Sequence, residues 1–184
     1  TSGPAATNTV TGISTAYADS VPVLIFTGQV PTPFLGSDAF QEADHIGITR
    51  TCTKHNTLVR KTIDLPKAIA EALYISNTGR KGPVLVDMPK DVLISESVFN
   101  FPKNVKISSY EDSVNLKSTE YKNFMNAFKN SKKPLFIFGR GACSSSSKKY
   151  IIKLLKKFKS PALTSILALG LISESQYNCG VLDY

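Results

Sequence analysis

The sequence predicts an α/β fold made of parallel sheets with flanking helices. Two apolar runs, residues 21–27 and 83–89, have the length and continuity of strands that are buried on both faces. Stretches whose apolar residues recur at helical spacing lie between and after these runs. Alternation of strands with helices is typical of parallel sheets joined by crossover helices. The chain has 184 residues, more than one average domain, and its elements fall into two blocks.

The first block covers residues 1–92. In chain order we predict a helix over residues 7–19 after the Gly3-Pro4 turn, the strand 21–27, a polar-apolar stretch over residues 49–59, a helix with Asp64 as N-cap and Pro66 in its first turn that ends at Gly79, and the strand 83–89. We expect functional residues in the loop that follows the strand ending at Gly28.

The second block covers residues 117–184, and residues 93–116 are interpreted as an interdomain linker because they are rich in Ser, Asn and Lys. In chain order its predicted elements are a helix with Tyr121, Phe124, Met125 and Phe128 on one face, the strand 134–138, the turn Gly139-Arg140-Gly141, a lysine-rich helix capped within residues 144–147, and the strand 161–166. No terminal element is predicted up to Tyr184, so we expect this domain to be unfinished.

Composition and charge exclude several classes of protein. The net charge of +8 would suit a nucleic-acid binder, but much of the excess lies in one lysine-rich amphipathic helix without stacking aromatics. We therefore expect a solvated helix face and no nucleic-acid partner. No apolar run approaches the ~20 residues that span a bilayer, so we expect no membrane insertion. The three widely spaced cysteines predict neither a disulfide framework nor a metal site.

Several short motifs follow one another along almost the whole chain. They are Thr1-Ser-Gly-Pro-Ala-Ala-Thr-Asn8, Asp19-Ser-Val-Pro22, Gly28-Gln-Val-Pro31, Gly36-Ser-Asp-Ala-Phe-Gln-Glu42, Ile48-Thr-Arg50, Thr53-Lys-His-Asn56 and Thr78-Gly-Arg-Lys-Gly-Pro-Val-Leu-Val-Asp-Met-Pro-Lys-Asp91. The Gly-Pro turn and the last motif recur among thiamine-diphosphate enzymes. The combination of GQVP, DAFQE and TKHN resembles the catalytic subunit of acetolactate synthase in particular.

This resemblance implies an internal fragment in which residues 1–92 are the C-terminal part of a pyrimidine-binding domain and residues 117–184 begin a Rossmann-like central FAD-binding domain. The implied activity condenses two pyruvates, or pyruvate and 2-oxobutyrate, to 2-acetolactate or 2-aceto-2-hydroxybutyrate with release of CO2. That reaction is the first common step of isoleucine, valine and leucine biosynthesis. The alternatives are another thiamine-diphosphate enzyme, such as a pyruvate oxidase or a sibling carboligase, and a non-catalytic cofactor-binding relative.

The resemblance implies thiamine diphosphate, FAD and Mg²⁺ as cofactors. Thr1, Pro4, Asn8 and Gln41 match thiamine-diphosphate contacts. Flavin contacts match Ser20, Arg80, Gly139, Arg140, Gly141, Ser165 and Ile166. The activating glutamate and the Mg²⁺ site are expected outside these residues, so no catalytic residue or metal ligand is assigned here. We expect the fragment alone to be inactive.

Phe40, Lys54 and Lys90 match a channel used by substrates and inhibitors of the family. From the residues alone, simpler interpretations stay open: Gln41 as an exposed polar residue at a helix start, Phe40 as a core residue, Ser20 as a hydroxyl at a helix C-terminus, and Arg80 as a complement to a helix dipole. The chain departs from the family pattern at Ala5, which replaces a glycine, and at Arg140. A positive φ at Ala5 would cost on the order of 1 kcal/mol.

The resemblance also implies partners for the parent protein. They are the substrates pyruvate and 2-oxobutyrate, a homodimer or tetramer of catalytic subunits, and a small regulatory subunit. We expect a cytoplasmic location in a bacterium, with a plastid as the alternative.

Overall fold

The computed structural model describes residues 2–110 and 116–182. The chain divides into two compact units, Thr1–Asp112 and Ser113–Tyr184. Each unit is built on a parallel sheet of three strands with helices packed against it. The predicted α/β class with parallel sheets and flanking helices is therefore confirmed.

The first unit has a sheet with its third strand in the middle. Its helices and strands are α1 (Pro4–Thr7), α2 (Val10–Ala18), β1 (Leu24–Gln29), α3 (His45–Thr49), β2 (His55–Leu58), α4 (Leu65–Asn77), β3 (Val84–Pro89) and α5 (Lys90–Ile94). The strand order is β1-β3-β2, all parallel, with Leu24 opposite Val84 and His55 also opposite Val84. This crossover arrangement matches the alternation expected from the sequence.

Strand β3 is buried on both faces because apolar side chains cover it from each side. Val84 and Val86 pack with Ala72 and Ile75 of α4 on one face. Leu85 points to the opposite face, where it packs with Ile13 of α2 and Cys52. Residues 84–86 have no exposed surface. The continuous apolar run in the sequence is thus explained by a central strand between two helical layers.

The second unit repeats this plan with shorter strands. Its elements are α6 (Thr119–Asn130), β4 (Phe136–Phe138), α7 (Ser145–Phe158), β5 (Ala162–Ser165) and β6 (Asn178–Leu182), with the strand order β4-β5-β6. Leu155 of α7 and Ala162 of β5 are fully buried in its core. The Ser144 side chain accepts a hydrogen bond from the Ser147 N–H, which confirms the predicted cap of the lysine-rich helix.

The structure corrects several predicted elements. The helix predicted over residues 7–19 is divided into α1 and α2, and the strand predicted at 21–27 runs from Leu24 to Gln29. Asp64 stands at the N-cap of α4, but its side chain makes no capping hydrogen bond because a 3₁₀ turn, Thr62–Asp64, leads directly into the helix. The end of the chain, where no element was predicted, contains β6 paired in parallel with β5.

Two further expectations concern the backbone and the linker. Ala5 lies inside α1 with a helical backbone, so the strain expected from a positive φ does not arise. The residues predicted as a linker begin inside α5, and Ile107 and Tyr110 pack against the core of the first unit.

Within the described ranges, no helix combines the length and apolar character needed to cross a membrane.

Replacing Leu85 with alanine is expected to destabilise the first unit strongly. Leu85 is fully buried, so the substitution leaves a cavity in the central strand and lowers the free energy of unfolding by roughly 3 kcal/mol. Leu73→Ala is the matched control, since Leu73 is 45% exposed on α4 and its loss costs under ~1 kcal/mol. Urea denaturation of the purified chain measures both; equal losses would contradict the assignment of β3 as the core strand.

Candidate functional site

A cleft of about 470 Å³ opens at the C-terminal ends of β1 and β3. In open parallel sheets this edge is where ligands bind, because the loops that leave the strands meet there. The residues that line the cleft are Ser2, Gly28, Gln29, Val30, Pro31, Phe40, Gln41, Met88, Lys90 and Leu93. Three predicted site residues, Phe40, Gln41 and Lys90, are therefore brought together.

The last two residues of β1 and the two residues after it (the 28–31 loop) form one wall of the cleft, which is fixed to the start of α5. The Asp91 carboxylate accepts hydrogen bonds from the Thr32 backbone N–H at 2.9 Å and from the Thr32 hydroxyl at 2.5 Å. These donors, led by the Thr32 hydroxyl, hold the pKa of Asp91 below its ordinary value. The end of β1 is thereby tied to the residue next to Lys90.

The loop of residues 36–42 forms the opposite wall. Its ends are joined by the Glu42 carboxylate, which accepts hydrogen bonds from the backbone N–H groups of Gly36 at 2.5 Å and Ala39 at 3.2 Å. The Gly36 N–H in particular holds the pKa of Glu42 below its ordinary value. Asp38 and Gln41 take the left-handed conformation, with φ of 55° and 62°. This tight loop projects Phe40, 89% exposed, so the interpretation of Phe40 as a core residue is wrong.

The Gly3-Pro4 turn packs directly against the Gln41 backbone. A Cβ atom on Gly3 would lie 2.4 Å from the Gln41 carbonyl oxygen, and Gly3 has a φ of +50°. Only glycine satisfies both conditions without movement of the chain. The motif at the N-terminus and the DAFQE motif thus meet at the cleft.

A buried polar network lies beneath the cleft on the α3 side of the sheet. Asp87, 1% exposed, accepts hydrogen bonds from Thr27 at 2.7 Å and Gln29 at 3.2 Å, and its carboxylate lies 3.0 Å from Nδ1 of His45. Among the described residues, Nε2 of His45 has no hydrogen-bond partner. From the sequence, no role was assigned to Asp87, Gln29 or His45. The spacing of Thr27 and Gln29, two residues apart in one strand, places both on the same face of the sheet and could have indicated a polar cluster with Asp87.

Other predicted residues of the first unit lie away from the cleft. The Lys54 ammonium donates to the carbonyl oxygens of Ile75 at 2.5 Å and Thr78 at 2.6 Å, at the C-terminus of α4. Asn8 lines a separate groove beside α2 and β1, and Pro4 is the exposed first residue of α1. Thr1 lies outside the described residues. The roles predicted for these residues stay predictions.

Arg80 and Ser20 contact each other at the C-terminus of α2. Nε of Arg80 donates to the Ser20 hydroxyl at 2.9 Å, and its guanidinium reaches the carbonyl oxygens of Tyr17 and Ala18 at 3.4 and 3.3 Å. The cation therefore complements the dipole of α2. The sequence had suggested the dipole of α4 instead, because Arg80 follows the end of that helix. The pair remains exposed, so contact with a ligand is sterically open.

The predicted flavin residues of the second unit also converge. Gly139, Arg140 and Gly141 follow β4, whereas Ser165 ends the adjacent parallel strand β5 and Ile166 follows it. A Cβ atom on Gly139 would lie 3.9 Å from the Ser165 hydroxyl oxygen. Arg140 and Ile166 are exposed at this edge. The second unit therefore presents charged, small and apolar groups at the C-terminal edge of its sheet.

Comparison with known proteins connects the first unit with a cofactor. Residues 1–48 match the family model described as thiamine pyrophosphate enzyme, N-terminal TPP binding domain. The matched region contains the Gly3-Pro4 turn, the 28–31 loop and the 36–42 loop, whereas the cleft residues Met88, Lys90 and Leu93 lie beyond it.

The chain is similar to acetolactate synthase large subunits along most of its length. It is 42% identical to the large subunit of Buchnera aphidicola subsp. Schizaphis graminum, over 92% of this chain and 30% of the relative. It is 42% identical to the large subunit of Lactococcus lactis, over 95% of this chain and 30% of the relative. It is 37% identical to the isozyme 3 large subunit of Escherichia coli, over 92% of this chain and 30% of the relative. The resemblance read from the motifs is confirmed, and the chain spans about 30% of the length of these relatives.

The cleft suits one end of thiamine diphosphate in its chemistry. A flat aromatic ring needs an apolar face and a few hydrogen-bonding groups. Phe40 and Val30 supply the apolar surface, and the Gln41 amide can donate and accept. No group of three or more His, Cys, Asp or Glu side chains in the described ranges is arranged to hold a metal ion.

The Asp91–Thr32 contact predicts a pH dependence of stability. Because the pKa of Asp91 is lower in the folded protein than its ordinary value of 3.8, its stabilising contribution is complete above that value and is lost as the pH falls through the folded pKa. Asp91→Asn is expected to lower Tm at pH 7, and the difference from the wild type should shrink as the pH falls below 3.8. Asp64→Asn is the control, since that carboxylate makes no capping bond. A pH-independent difference for Asp91→Asn would contradict the assignment.

The different surroundings of Gly3 and Gly12 predict opposite effects when each is replaced by alanine. Gly3→Ala should lower Tm by several degrees, because the new Cβ atom collides with the Gln41 carbonyl and the φ is unfavourable. Gly12→Ala should raise Tm, because Gly12 lies within α2 with open space around it and alanine has the higher helix propensity. Thermal unfolding followed by circular dichroism measures both; a neutral Gly3→Ala would show that the two loops do not pack as described.

Proposed function

We propose that the chain is part of the catalytic subunit of an acetolactate synthase and that its cleft holds the aminopyrimidine end of thiamine diphosphate. The observation that carries this proposal is the meeting of the Gly3-Pro4 turn with the Phe40 and Gln41 loop at the C-terminal edge of the sheet. The matched TPP-binding family and the similarity to large subunits support it.

The residues of the cleft have distinct roles in this proposal. The Gln41 amide orients the cofactor or a carbonyl substrate without adding charge. Phe40 covers the ring and excludes water, and Lys90 attracts the carboxylate of pyruvate or 2-oxobutyrate. When bound, thiamine diphosphate supplies the carbanion-stabilising chemistry needed to release CO2 and to form the new carbon–carbon bond.

The proposed reaction is the condensation of two pyruvates, or of pyruvate with 2-oxobutyrate, with release of CO2. Among the residues that line the described cleft, Lys90 is the titratable one, and it is assigned to carboxylate binding. We therefore propose that proton transfer depends on groups outside this chain. We place Mg²⁺ outside it as well. The parent protein is proposed to act as a homodimer or tetramer with a small regulatory subunit, in the bacterial cytoplasm or a plastid.

We propose FAD as a further cofactor of the parent protein. Gly139 and Ser165 lie beside each other at the edge of the second sheet, and the exposed Ile166 side chain provides an apolar surface there. The N-terminus of α7 follows this edge and favours anionic groups such as phosphate. In the first unit, the exposed Arg80 and Ser20 pair offers hydrogen-bond donors to the same class of ligand.

The full-length protein that contains this chain should form acetolactate from pyruvate. Activity is measured with and without Mg²⁺, thiamine diphosphate and FAD, and we expect product only when all are supplied. Consumption of pyruvate to acetate would instead indicate an oxidase, and no consumption a non-catalytic relative.

Gln41→Ala is expected to lower kcat/KM for thiamine diphosphate by about tenfold, the loss of one or two hydrogen bonds to the cofactor. Gln176→Ala is the control, because Gln176 is an exposed glutamine of the second unit. Titration of the cofactor at saturating pyruvate measures both variants. Equal values for Gln41→Ala and Gln176→Ala would remove Gln41 from the cofactor site.

A further inference from the structure

The Gln29 side chain connects the two loops that form the walls of the cleft. Its Oε1 accepts a hydrogen bond from the Val30 backbone N–H at 2.9 Å, within the 28–31 loop. Its Nε2 donates to the Ala43 carbonyl oxygen at 2.8 Å, immediately after the 36–42 loop. Gln29 is 6% exposed, so water competes little for these bonds. One amide thus joins both walls from below.

Asp87 determines which way this amide faces. Its Oδ2 accepts a hydrogen bond from the second N–H of Gln29 Nε2 at 3.2 Å. Its Oδ1 accepts from the Thr27 hydroxyl at 2.7 Å and lies 3.0 Å from Nδ1 of His45, which donates as the N–H tautomer because a carboxylate only accepts. A flipped Gln29 amide would place its oxygen against this carboxylate. The hydrogen bonds to Val30 and Ala43 therefore keep a single direction.

We propose that Gln29 and Asp87 are positioning residues that set the separation of the 28–31 and 36–42 loops, and with it the affinity of the cleft for thiamine diphosphate. The proposal rests on the proposed function. Gln29 acts through the backbone of the loops, and Asp87 acts through Gln29. Loss of the Gln29 amide nitrogen releases the second wall, which carries Phe40 and Gln41.

Gln29→Glu in the full-length protein is the direct test. The new carboxylate has the shape of the amide and still accepts from the Val30 N–H, but it loses both N–H groups and faces the Ala43 carbonyl and the Asp87 carboxylate. We expect the KM for thiamine diphosphate to rise by at least about tenfold, with a smaller change in kcat at saturating cofactor. An unchanged KM for the cofactor would overturn the proposal.

Asn56→Asp is the matched control for destabilisation. It makes the same change from amide to carboxylate in the same sheet, where Asn56 Nδ2 donates to the Ile46 carbonyl at 2.6 Å and the Thr49 hydroxyl at 3.0 Å. Asn56 does not line the described cleft. We expect Tm to fall in both variants but the KM for thiamine diphosphate to stay within about twofold in Asn56→Asp. An equal rise in KM would show that lost stability, not wall position, is the cause.

Combining Gln29→Glu with Asp87→Asn supplies a rescue. The amide introduced at position 87 keeps an oxygen that can accept from Thr27 and His45, while its nitrogen can donate to the new carboxylate at position 29. The repulsion between positions 29 and 87 is removed, but the Ala43 carbonyl still lacks its donor, so the double variant should regain only part of the lost cofactor affinity. Strictly additive losses from the two single substitutions would overturn the coupling of Gln29 with Asp87.

A second readout separates this proposal from the proposed function. Amide hydrogen exchange of peptides spanning residues 28–43 should be faster in Gln29→Glu than in the wild type and unchanged there in Asn56→Asp. If the wild-type protein forms no acetolactate, the proposed function fails, while exchange and direct titration with thiamine diphosphate still test the positioning. Equal exchange in the wild type and Gln29→Glu would overturn it.

Discussion

The buried carboxylate of Asp87 is the constraint on which the first unit depends. It lies within the central strand, 1% exposed, where an unpaired charge would be very unfavourable. Three side chains, Thr27, Gln29 and His45, provide the donors that make its burial possible. Since these side chains come from β1 and the start of α3, the carboxylate fixes the register of β1 and the position of α3 together.

Each wall of the cleft is closed by hydrogen bonds to backbone N–H groups. Glu42 joins the two ends of the 36–42 loop, and Asp91 holds the residue that follows the 28–31 loop. The left-handed residues Asp38 and Gln41 carry a conformational cost of order 1 kcal/mol each, which these contacts offset. Loops held in this way lose less conformational freedom when a ligand binds.

Each unit places its predicted site residues at the C-terminal edge of its own parallel sheet. In the first unit these are the 28–31 loop and Lys90, and in the second they are Gly139 and Ser165. Parallel strands direct all their exits to one edge, so short motifs far apart in the chain become neighbours there. This explains how motifs that are distant from one another in the sequence come together in each unit.

The sequence alone determined the features that depend on local pattern. The apolar run at Val84, Leu85 and Val86 identified the central strand, because a strand buried on both faces has no polar alternation. The Ser144 cap and the lysine-rich helix followed from capping chemistry and helical spacing, and the motif order identified the family resemblance. These signals are contained within a few consecutive residues.

Tertiary structure decided what depends on partners distant in the chain. Strand β6 has mostly exposed residues and no apolar periodicity, so only its pairing with β5 identifies it. His45 and Asp87 are 42 residues apart, and Lys54 bonds carbonyl groups 21 and 24 residues away, so no local spacing reveals either contact. A sequence records which side chains can donate, accept or pack, whereas the folded chain decides which of them meet, because each contact depends on the position of every element between its partners.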